Sequence, residues 1–96
     1  MQIVYRPHLL RRLKERKIPK DYPKQILQDA EQEYFDSATM HNISVKKLPY
    51  GGKMHCMVIA YDIIENSKEI ITVYPISELE LSNKVKRGRW KTYEKN

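Results

Sequence analysis

The sequence predicts an α+β fold: a strand, two helices, then a mostly antiparallel three-stranded meander, with the helices packed on one face of the sheet. Three observations predict it. Two helical patterns, each with a proline in its first turn (Pro7 and Pro23), occupy the first third of the chain. Residues 43–76 are β-rich and are punctuated by Pro49-Tyr50-Gly51-Gly52 and Asn66-Ser67. The length, 96 residues, suits one core and one domain. No internal repeat or linker divides the chain. Composition separates a domain over residues 1–83 from a basic C-terminal tail over residues 84–96, which contains Trp90 and Tyr93.

Each element has its own signal. Gln2–Tyr5 is short, β-branched and alternating, with Ile3 and Val4 on opposite faces. A helix follows over residues 7–17. Pro7 costs it no ladder bond, and Leu9, Leu10 and Leu13 can face a core. Ile18-Pro19 ends it, because a residue before proline avoids the α region. Asp21 fits the N-cap of a second helix, in which Ile26, Leu27, Ala30 and Tyr34 recur at helical spacing. Asp29, Glu31 and Glu33 oppose its dipole, so it should end soon after Gln32. Tyr34-Phe35-Asp36 fits either the end of this helix or a short strand. Residues 43–48 fit a strand. Residues 54–64 carry apolar side chains of both parities, as a central strand covered on both faces does. Residues 69–76 fit the next strand, and residues 77–83 one loose helical turn.

Charge is unevenly placed. Residues 1–24 hold eight Lys or Arg against Glu15 and Asp21, and residues 84–96 hold six against Glu94. The middle holds four against nine acids, which leaves the chain at +6. If the ends meet, Arg12 and Arg87 share one basic side, the footprint of a polyanion binder. No apolar run approaches the roughly 18 residues that cross a bilayer, and the N-terminus lacks a signal peptide's pattern, so no membrane role is expected. The single cysteine, Cys56, excludes an internal disulfide and fits a reducing, cytoplasmic setting. It lies in an apolar run and reads as a small core residue.

The first helix carries the most chemistry. His8, Arg12 and Arg16 recur every four residues and form a stripe beside its apolar face. Together with residue Ile18 and the runs Met57-Val58-Ile59-Ala60-Tyr61 and Ile70-Ile71-Thr72-Val73-Tyr74, this H-x3-R-x3-R helix resembles the RelE/ParE-like toxin superfamily. The nearest likeness is to a branch of small proteins allied to BrnT-type toxins, and it covers residues 3–76. The resemblance implies a RelE-like fold, RNA-directed chemistry, a toxin role in a type II toxin–antitoxin pair, action on RNA at the ribosome, and an acidic antitoxin as partner.

Metal-independent RNA cleavage needs a base for the 2′-hydroxyl, an acid for the leaving oxygen and cations for the phosphate. Histidine suits proton transfer near neutrality, and arginine's planar fork suits phosphate. The catalytic candidates are therefore His8, Arg12, Arg16 and His55, with His41 behind them. Tyr61 and Tyr74 fit as acids, as stacking platforms or as strand packing. Arg11 and Lys14 on the helix, and Lys86, Arg87, Arg89 and Trp90 in the tail, are the nucleic-acid-binding candidates. Cations mixed with an aromatic suit single-stranded RNA. No histidine or cysteine spacing suggests a metal, and no cofactor is expected. The alternative to a ribonuclease is a small domain without catalytic activity that binds nucleic acid or docks an antitoxin.

Overall fold

A computed structural model describes residues 2–92. The elements are β1 (Gln2–Tyr5), α1 (Pro7–Arg16), α2 (Tyr22–Gln28), β2 (Gln32–Asp36), β3 (Asn42–Tyr50), β4 (Lys53–Ile64), β5 (Ser67–Ile76), α3 (Glu78–Lys86) and β6 (Trp90–Thr92). They build one six-stranded sheet in the order β1-β5-β4-β3-β2-β6. β1 runs parallel to β5, and every other pair is antiparallel.

The α+β class stands and α1 and α2 share one face of the sheet, but the three-stranded, RelE-like antiparallel meander is corrected. The sheet is mixed and six-stranded, and a third helix packs on its other face. Three causes account for the difference. First, α2 stops at Gln28 because the following backbone pairs with β3. Glu31 N donates to Val45 O at 2.9 Å, and the Glu31 carboxylate accepts from Lys47 N at 2.9 Å. Ala30 and Tyr34 therefore leave the helix, and Tyr34 enters β2. Second, residues 77–83 are not a loose turn. Ser77 caps α3, its hydroxyl accepting from Glu80 N at 3.1 Å. Third, within the segment read as a tail, residues 84–86 end α3 and residues 90–92 pair with β2 as β6. Tyr93 and Glu94 lie outside the described residues.

The central hairpin matches its sequence signal closely. Gly51 and Gly52 take φ of +59° and +80°, which a two-residue turn between β3 and β4 requires and glycine adopts without strain. The next hairpin turns at Glu65-Asn66, one residue earlier than expected.

β4 separates two apolar clusters. On one face Met57, Ile59 and Tyr61 meet Leu9 and Leu13 of α1, Ile26 and Leu27 of α2, and Ile18 between them. On the other, Cys56, Val58 and Ala60 meet Tyr34, Ile43, Val45, Ile76 and Trp90, with Leu81 of α3 packed against them. α1 and α3 therefore sit on opposite faces, and Arg12 and Arg87 do not share a side. The +6 at one end and the excess at the other form two separate basic surfaces. Among the described residues no helix is long and apolar enough to cross a membrane.

Candidate nucleic-acid interface

α1 is built so that its cations stay outside. Leu9 and Leu13 are buried against the sheet, which turns His8, Arg11, Arg12 and Lys14 outward. The helix stops cleanly at Lys17, in the left-handed region with φ of 55°. His8, Arg11, Arg12, Glu15 and Arg16 line a hollow of about 380 Å³. A second hollow of about 390 Å³ is lined by Arg6, Pro7, His8, Arg11 and Ile71. The two share His8 and Arg11.

Among the described residues, His8, Arg11, Arg12 and Lys14 make no ion pair. Arg16 differs from them. Its Nη1 donates to Val73 O at 2.9 Å, on the edge of β5, and its own carbonyl accepts from the Tyr50 hydroxyl at 2.6 Å. Arg16 thus joins α1 to the sheet as well as lining the hollow.

His55 lies on the same face of the sheet as α1, in register with Leu48, its ring edge-on to Tyr50 at 5.9 Å. It is not among the residues that line either α1 hollow. His8 and the three arginines of the helix are brought together; His55 is set apart from them.

The remaining candidates lie across the sheet. Trp90 is 1% exposed and stacks on Tyr34 at 5.6 Å. Its Nε1 donates to Asp36 at 3.3 Å, and Lys84 lies over its ring at 5.3 Å. A tryptophan so enclosed leaves no face for a nucleobase, so Trp90 belongs to the core. Arg89 pairs with Asp36 at 3.4 Å, while Lys86 and Arg87 are exposed. Arg87 and Arg89 line a hollow of about 230 Å³ with Glu80, Asn83 and Lys84.

Asp36 organises this region. It is 4% exposed and accepts from Ala38 N at 2.9 Å, Thr39 N at 3.2 Å, Arg89 and Trp90. Burial alone would push its carboxyl up, but the two backbone N–H groups and Arg89 hold it below the usual carboxylate range. Nearby, the Asp62 carboxylate accepts from His41 Nδ1 at 2.7 Å, and Arg6 bridges Glu69 at 3.1 Å and Asp62 at 3.9 Å.

Tyr61 and Tyr74 are both pushed above their ordinary range, chiefly by burial, which makes them weaker acids. Cys56 is 8% exposed and its thiol is pushed up by burial, so it packs rather than reacts. Among the described residues no group of three or more ligating side chains could hold a metal ion.

Sequence reasoning missed Arg6 and Ile71 as walls of the second hollow, and the pairing of His41 with Asp62. No local pattern marks them: Arg6 and Ile71 meet only because β1 lies beside β5. Compared with family models, curated proteins and solved structures, the chain matches none.

Proposed function

We propose that this chain acts on RNA through the outer surface of α1, as a small ribonuclease of toxin type. The observation that carries the RNA reading is the row of cations on α1 with no carboxylate partner. An unmatched cation can release counterions from a phosphate backbone without first giving up a partner. The cleavage part draws on a second observation. His8 is exposed and lines both hollows beside Arg11. One imidazole beside guanidiniums suits metal-independent cleavage, in which the imidazole moves a proton and the guanidiniums stabilise phosphate charge. The toxin role, an acidic antitoxin and action at the ribosome come from the resemblance of the H-x3-R-x3-R helix alone.

The test is direct. Labelled single-stranded RNA is titrated with the protein across a salt series, and the products are run on a gel. Binding with a steep salt dependence supports the RNA reading. Cleavage that falls about 10²–10⁴-fold in His8→Ala, with binding kept, supports the ribonuclease. Binding without cleavage leaves a non-catalytic RNA-binding domain. Absence of binding removes the proposal.

A further inference from the structure

β1 ends at Tyr5, whose partner is Ile70. β5 continues to Ile76, so beyond Ile70 one of its edges has no strand beside it among the described residues. At that point β5 also bulges against β4. Ala60 pairs with Thr72 and Tyr61 with Ile70, which leaves Ile71 as the extra residue. A bulge re-aims its side chain and bends the strand. Ile71 is half-buried and faces Pro7, His8, Arg6 and Arg11 around the hollow of about 390 Å³. Two walls of this hollow, Ile71 and Pro7, are apolar. Arg6 is held in place by Glu69 at 3.1 Å. Arg11 is exposed and unpaired among the described residues. The adjoining hollow, by contrast, is lined wholly by titratable side chains.

We propose that the hollow at Ile71 is a nucleobase subsite, and that the RNA taken by α1 is single-stranded. The proposal rests on the RNA reading above and adds the substrate class to it. A base lies against Ile71 and Pro7 with the Arg11 guanidinium over its face. Its phosphate occupies the neighbouring hollow near Arg12, and His8 stands between the two at the ribose. Planar guanidiniums stack on bases as well as pairing with phosphates. The volume lies within the range of pockets that enclose a small ligand, roughly 300–1,000 Å³. Only a base free of a duplex can leave its stack and enter. The contact is made to a π-face, which every base has, so preference among bases is weak.

The test uses the whole chain and three probes: a short single-stranded RNA, the same sequence as a duplex, and inorganic polyphosphate, which has charge but no base. Single-stranded RNA should bind about tenfold more tightly than duplex, on the scale of one base–side-chain contact. Ile71→Ser should weaken single-stranded RNA about 3–10-fold and leave polyphosphate unchanged. Arg12→Ala should weaken both. Photocrosslinking of 4-thiouridine RNA to the unaltered protein needs no variant, and crosslinks should fall on residues 6–11 or on Ile71. Equal affinity for single-stranded and duplex RNA, indifference of RNA binding to Ile71→Ser in a folded variant, or crosslinks confined to α3 would overturn the base subsite while the RNA reading stands. Failure of the wild type to bind either RNA or polyphosphate would overturn both.

Discussion

The two faces of the sheet treat their cations differently. On the α1 face, His8, Arg11, Arg12 and Lys14 have no carboxylate partner among the described residues. On the α3 face, Arg89 meets Asp36 and Lys47 meets Glu78, and at the edge beside the α1 hollow Arg6 meets Glu69. The reason lies in where the acids fall in the chain. The acidic middle supplies β2, β4, β5 and α3, so its carboxylates reach the cations of that face. α1 carries only Glu15 of its own. Lys84, Lys86 and Arg87 are exceptions on the far side, and they sit at the C-terminal end of α3, where the helix dipole favours cations. Positive charge by itself therefore does not single out α1; what sets its cations apart is that they lack a carboxylate partner among the described residues, and the proposed RNA contact rests on that. A phosphate on the α3 face would have to displace a carboxylate from Arg89, and on α1 it would not.

The largest expected effect breaks the matched face. Asp36→Ala strands the buried Trp90 Nε1 and the N–H groups of Ala38 and Thr39, and leaves Arg89 unpaired. It should cost about 2–4 kcal/mol, read as a large drop in melting temperature. Asp36→Asn should cost less at neutral pH, and the comparison has a pH signature. The folded carboxyl of Asp36 is held below its unfolded value of about 3.9. Its ionic contribution is therefore present above pH about 4 and is lost as pH falls through the lower folded value. Wild type and Asp36→Asn should converge in stability in acid; a constant difference down to low pH would show that charge is not what Asp36 contributes.

The next effect acts on the unmatched face. Arg11→Ala with Arg12→Ala should weaken RNA binding about tenfold or more and reduce the salt slope by about 1.4, since each lost phosphate contact removes about 0.7. Stability should hardly move. An unchanged slope would mean that these arginines do not meet phosphate.

Arg16 separates the two roles within α1. Its bond to Val73 O is structural, so Arg16→Ala should lower stability by about 1 kcal/mol. Its effect on RNA affinity should be smaller than that of Arg12→Ala. The reverse ranking in paired melting and binding measurements would make Arg16 primarily a ligand contact. Smallest of all is Lys47→Ala. The pair with Glu78 is at 3.0 Å, but both side chains are largely in water. Its melting temperature should match the wild type; a clear drop would show that the face holds together through that pair.

Legibility followed the length and regularity of each signal. Gln2–Tyr5 and the start of α1 at Pro7 were readable residue by residue, since β-branching and a first-turn proline act locally. The double-sided burial of β4 was readable because most of its twelve residues are apolar and they fall on both parities. β6 was not, because three residues, Trp90, Lys91 and Thr92, have no period to read. α3 was underread because no residue on it is fully buried, so its apolar stripe is weak. The charge count was correct, but its inference of one basic side failed, because charge in a sequence has no face.

What the sequence by itself determined is local: the turn at Gly51-Gly52, the helix that turns Leu9 and Leu13 inward, and the His8–Arg12–Arg16 spacing that follows from 3.6 residues per turn. Tertiary structure alone decided which cations remain unmatched, that Trp90 is core rather than platform, and that Arg6 and Ile71 form one hollow. Those outcomes depend on contacts across tens of residues, such as Arg6 with Glu69 and Asp36 with Arg89. Such contacts arise from sheet order and register. A strand's side-chain period is readable from its own residues, but its neighbour is chosen by the burial and backbone pairing of the whole sheet.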